Sequence, residues 1–182
     1  MDILWIESYV GIIEILGMGA EVMRQTEIFI LVVGIGSTIA LDLWGLIVAR
    51  ITGMSGTHWP LVGRWLLGLP AGRFVFDQED TAPDTVVEGV VGWGFHYIVG
   101  LAYAAMLPLF WGVDFIKAPT IFPFFLIGVV VSSLAGLMIL MPGMGAGLFA
   151  RKTPMPFITI LFVVVAHVIF ATAQYLLALG VA

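Results

Sequence analysis

The sequence predicts an all-α integral membrane protein, a four-helix bundle with an extra amphipathic helix at the N-terminus. Three observations carry this reading. Of 182 residues, 61% are hydrophobic. Only 10% are charged, against about a quarter in a soluble domain. Four stretches also meet the length needed to cross a bilayer, roughly 20 mostly apolar residues. With a mean hydropathy of +1.12, the apolar surface exceeds what a soluble fold of this length buries, so lipid must cover it. The stretches are too long and too continuously apolar for barrel strands, which alternate over about ten residues.

Residues 1–25 form the first expected element. Glu7, Glu14 and Glu21 recur every seven residues, which on a helix places them on one stripe. Trp5, Ile6, Val10, Ile12, Ile13, Leu16 and Met23 cover the rest. This predicts either a helix lying in the interface or a fifth span whose acids face a partner subunit. Lipid-binding interfacial helices are usually basic, so the acidic stripe favours a protein partner. The opening Met1-Asp2-Ile3-Leu4-Trp5 has no basic segment, so no cleaved signal peptide is expected there.

Residues 26–182 form the expected four-span domain, with spans at about 28–49, 86–111, 121–141 and 157–181. The long connection, residues 50–85, turns repeatedly at Gly and Pro yet carries Trp59, Leu61, Val62, Trp65, Leu66 and Leu67. It predicts a short interfacial helix over Pro60–Leu69, with its tryptophans at headgroup depth. Asp77, Glu79, Asp80 and Asp84 follow as an acidic run explained by solvation; they lack the spacing of a calcium loop. Residues 112–120 form a short connection, and residues 142–156 a Gly- and Pro-rich one. Orientation follows from Lys and Arg. Arg50, Arg64, Arg73, Arg151 and Lys152 lie in loops 50–85 and 142–156, and only Arg24 and Lys117 lie on the other side. The basic loops are therefore expected in the cytoplasm and the C-terminus outside.

Charge and composition exclude several functions. A net charge of −5 does not suit nucleic acid, whose phosphates require clustered cations. The absence of Cys removes disulfides, thiolate metal sites and cysteine nucleophiles. No serine lies in a nucleophile motif, and no enzymatic activity is expected.

Ionisable groups inside the membrane are costly and mark candidate sites. Asp42, His96 and His167 lie at similar depth on three spans, roughly 10–15 Å from the cytoplasmic boundary at 1.5 Å per residue. Thr38 shares a face with Asp42, Glu88 with His96, and Gln174 with His167, so these six form a candidate intramembrane polar cluster. Gly128, Ser132 and Gly136 offer a small-residue ridge on the third span for close packing. Such a cluster can lock helices in register, relay protons through Asp and His, or bind a metal, haem or chlorophyll with His96 or His167 as ligand. No two of the three ionisable residues stand four apart on one helix, so spacing does not single out metal binding, and no cofactor is predicted. Met138, Met141 and Met144 read as ordinary apolar residues.

The chain also contains Asp42-Leu43-Trp44, Leu61-Val62-Gly63-Arg64-Trp65, Gly72-Arg73-Phe74, Ala82-Pro83, Glu88, Gly92-Trp93, His96-Tyr97, Gly100, Arg151, Thr153-Pro154 and His167. In this pattern it resembles an uncharacterised bacterial membrane family, domain of unknown function 2938, over roughly residues 28–180. The resemblance implies a small multi-pass inner-membrane protein and brings no activity with it. Arg64 and Arg73 of this pattern, together with His58 in the same connection, form a candidate loop motif. The family pattern has a His two residues after Gly-Arg-Phe, where this chain has Phe76. The acidic N-terminal helix lies outside the resemblance. These readings lead to an accessory or structural subunit in contact with the lipid bilayer and with other membrane subunits or further copies of itself. The alternatives are a small proton- or ion-linked transporter, which with four spans would need oligomers, and a haem- or chlorophyll-binding subunit.

Overall fold

The computed structural model describes residues 3–54 and 56–182, with side-chain surroundings from Gly17 onward. Five helices account for it: α1 (Ile3–Thr52), α2 (Trp59–Gly68), α3 (Val86–Trp111), α4 (Ile121–Gly143) and α5 (Pro156–Val181). Among the described residues four of them, α1, α3, α4 and α5, are long and apolar enough to cross a membrane. A short helix forms where one was expected, over Trp59–Gly68. Pro60 opens it at a position where a missing N–H costs nothing.

The N-terminal element differs from expectation. It is the upstream end of the first span, because α1 runs unbroken from Ile3 to Thr52. A separate interfacial helix or a fifth crossing would need a turn before Ile28, and no Gly-Pro or Gly-Gly pair there supplies one. Glu7 and Glu14 lie outside the residues whose side chains are described. Glu21 binds Arg24 through both carboxylate oxygens, at 3.0 and 2.8 Å.

The spans alternate in direction, and the two ends of the bundle differ in character. At the end formed by the start of the α1 span and the end of α5, Phe29, Val33, Leu107, Phe115, Phe124 and Ile127 make an apolar core. At the other end lie the two basic loops, and they touch. The Phe76 amide donates to the Gly143 carbonyl at 2.7 Å, and the Gln78 side chain donates to the Met144 carbonyl at 3.2 Å. Trp65 packs against Gly143 and donates its indole N–H to the Phe74 carbonyl at 2.9 Å.

Two glycines decide how α2 docks. A Cβ on Gly63 would collide with the Glu88 carbonyl, and one on Gly92 with the Trp59 carbonyl. The α2 and α3 backbones therefore meet directly, as small residues permit in membrane helices. Helix α4 is wound unusually, with wide π turns over Phe125–Val131 and Gly136–Leu140 on either side of Ser132–Ala135. Nothing in the residue pattern announces this winding.

Candidate functional site

The site begins where α1 and α3 pack closely. A Cβ on Gly100 would strike the Thr38 hydroxyl, and that hydroxyl is bonded back to the Gly34 carbonyl at 2.7 Å. One turn further along α1, the close approach brings Asp42 to α3. Asp42 Oδ1 lies 2.8 Å from His96 Nε2. Its Oδ2 accepts from the Tyr97 hydroxyl at 3.0 Å. Neighbouring helix residues point about 100° apart, so His96 and Tyr97 hold the carboxylate from two directions. With Asp42 ionised, the neutral ring carries its proton on Nε2.

Helix α2 covers this pair. The Trp59 ring stacks on His96, with centroids 4.0 Å apart and planes 21° from parallel. Trp93 meets the imidazole edge at 5.9 Å. His96 is buried and Asp42 is only partly covered, its side chain 22% exposed. The arrangement orients an imidazole and shields one of its faces. It can lock two spans together, and it can hold a proton between Asp42 and His96.

A second cluster joins α2 to the start of α3. Arg64 donates from Nε to Glu88 Oε1 at 2.6 Å and from Nη2 to Oε2 at 3.1 Å. It also donates to the Ala82 carbonyl at 3.1 Å and the Pro83 carbonyl at 3.0 Å. Asp80 stands 3.3 Å and Asp84 3.7 Å from the guanidinium. Its hydrogen bond to Glu88, first of all, raises the Arg64 pKa above its ordinary value. Glu88 completes a capping box with Thr85, accepting from its amide at 2.7 Å and donating its own amide to the Thr85 hydroxyl at 3.3 Å. The box satisfies the amides at the helix start. His58 lies 2.6 Å from Asp84.

These contacts revise several expectations. Glu88 belongs to the Arg64 cluster, not to the intramembrane one, because it sits on the first turn of α3 where loop carbonyls and Arg64 converge. Asp80 and Asp84 are more than a solvated run, since they face Arg64 and His58. Arg73 stands apart from the network; its side chain lies along Gly68. His167 has a different partner from His96. Its Nδ1 is 3.2 Å from the Ser133 hydroxyl on α4. The six-residue cluster is thus divided, with Asp42 and His96 at the α1–α3 seam and His167 at the α4–α5 seam. Among the described residues no three His, Asp or Glu side chains gather closely enough to hold one metal ion.

Gln174 is fully buried on α5, and neither its amide nitrogen nor its oxygen has a partner. It faces Gly128, so close that a Cβ there would lie 2.8 Å from Gln174 Oε1. An unpaired amide in an apolar interior is destabilising. Gln174→Leu is therefore expected to stabilise the bundle by about 1 kcal/mol, read as a higher unfolding temperature in detergent. A lower temperature would show that the amide has a role in packing that its contacts do not reveal.

Sequence reasoning found Asp42 and His96 but missed Tyr97 and Trp59 as their partners. The signal for Tyr97 was its place beside His96. Nothing in the sequence places Trp59, 37 residues upstream of His96, on the imidazole face.

Fold and clusters together define a four-span α-helical membrane protein whose spans are joined by buried polar contacts. The chain belongs to the family described as protein of unknown function (DUF2938), which it matches over residues 31–181. No curated protein and no solved structure matches it.

Proposed function

We propose that this protein is a non-enzymatic accessory or structural subunit of a larger assembly in the bacterial inner membrane. The observation that carries the reading is the length of α1. From Gly17 to Thr52 it spans 36 residues, about 54 Å at 1.5 Å per residue. A whole bilayer with its headgroups is about 40–45 Å thick. Arg24, Gln25 and Ile28 lie level with Val181 at the end of α5, so α1 continues beyond the bundle. Met18 and Met23 are exposed on this projecting part. A projecting apolar helix favours a protein partner that covers it. The basic loops 50–85 and 142–156 face the cytoplasm in this reading, and the projecting end of α1 lies outside.

Deleting residues 2–20 should leave insertion and the bundle intact while releasing the partner. Native-membrane purification in mild detergent with mass spectrometry checks this. Retention of the partner by the shortened chain would sink the docking role of α1.

A proton- or ion-linked transporter is favoured by one specific observation, the partly exposed Asp42 bound to His96 and Tyr97. Asp42→Asn separates the two readings. A structural lock predicts a loss of about 1–2 kcal/mol, the scale of hydrogen bonds between membrane helices, with the partner's activity unchanged. A transporter predicts loss of flux in proteoliposomes with stability largely kept.

A further inference from the structure

We propose that the protein binds a zwitterionic phospholipid headgroup, phosphate and ammonium together, in a pocket at the end of the bundle opposite the basic loops. The pocket holds about 410 Å³ and lies between Arg24, Gln25 and Ile28 of α1, Ile116 and Lys117 of the α3–α4 connection, and Val181 and Ala182 at the end of α5. Arg24 and Lys117 are the only Lys or Arg residues on this side of the chain's expected topology, and they are 93 residues apart in sequence. The fold brings both to one cavity, at the level where α1 leaves the apolar bundle.

The donors suit a phosphodiester. Among the described residues, Arg24 uses Nε and Nη2 on Glu21, which leaves Nη1 free to donate. Lys117 gives one hydrogen bond, to Asp114 at 3.3 Å, and an ammonium has three donors. Guanidinium and ammonium groups are the usual ligands of phosphate oxygens.

The charge pattern points to the zwitterion. Each cation already carries an acid, Glu21 on Arg24 and Asp114 on Lys117. A purely anionic headgroup would add negative charge beside two carboxylates. A headgroup amine answers those carboxylates while its phosphate answers the cations. Below the pocket, α1 exposes Ile28, Leu31, Val32 and Ile35, a surface along which the acyl chains of the same lipid can lie. The part of α1 that rises past the bundle forms the wall against which the headgroup rests.

The test is native mass spectrometry of the full chain released from nanodiscs of equal phosphatidylethanolamine and phosphatidylglycerol. One phosphatidylethanolamine per chain should be retained preferentially. The Arg24→Ala, Lys117→Ala double variant should reduce that retention at least tenfold, and Lys117→Arg should preserve it. Both side chains are largely exposed, so the variants should unfold at the wild-type temperature, which is measured alongside. Equal or greater retention of phosphatidylglycerol would overturn the zwitterionic assignment. Retention unchanged in the double variant would overturn the site. Displacement of the lipid by millimolar inorganic phosphate would overturn a lipid source in favour of a soluble anion.

Discussion

Arg64→Ala is expected to destabilise the protein, because removing one partner of a largely covered ion pair leaves the other charge unpaired. Arg64 is the hub of the loop that ties α2 to α3. Its removal strands Glu88, which is buried to the same degree, and leaves the Ala82 and Pro83 carbonyls without their donor. The unfolding temperature should fall by several degrees. Arg64→Lys should recover less than half of the loss, because a point ammonium cannot replace a fork bound at both carboxylate oxygens and two carbonyls. Arg64→Met combined with Glu88→Leu should be milder than Arg64→Ala alone, since no charge is then left unpaired. Thermal unfolding in detergent, followed by circular dichroism, reads all three. A change below about 0.5 kcal/mol for Arg64→Ala would place this cluster among ordinary surface ion pairs.

Gly92→Ala should be nearly as damaging. The added methyl meets the Trp59 carbonyl, a backbone atom of α2 that cannot rotate away. Overpacking of this kind typically costs about 1–3 kcal/mol and more where backbone must move. We expect about 3 kcal/mol and a specific consequence: α2 separates from α3 and Trp59 leaves the His96 ring. Tryptophan fluorescence should therefore shift before global unfolding begins. Gly89→Ala and Gly94→Ala are the controls. Both glycines lie on α3 with nothing near their notional Cβ atoms, so alanine there should stabilise the helix, by up to about 1 kcal/mol. If Gly92→Ala behaved like these controls, the direct α2–α3 contact would be absent from the working protein.

These two variants mark the limit of what could be read from the residues. Because lipid leaves each spanning segment only one way to satisfy its own backbone, composition and hydropathy gave the last three spans nearly to their ends; they missed the upstream extent of the first. Pro60 also marked the start of α2, whereas the capping box of Thr85 and Glu88 at the start of α3 emerged only in the structure. Asp42 and His96 stood out because charged or titratable groups are rare in a span.

Pairing between elements was a different matter. Asp42 has partners 54 and 55 residues away, and Arg64 has Glu88 at 24. His167 lies at a similar expected depth to His96, yet it faces Ser133. Depth follows from position along a helix, whereas facing follows from rotation and crossing, which neighbouring side chains set. Glycine illustrates the difference: Gly89, Gly92 and Gly94 look alike in sequence, but only Gly92 touches another backbone. The sequence by itself determined that this chain lives in a membrane as a helical bundle, because burial of its apolar surface depends on composition and run length. Only the tertiary structure decided which polar groups meet, because that depends on contacts between helices far apart in the chain.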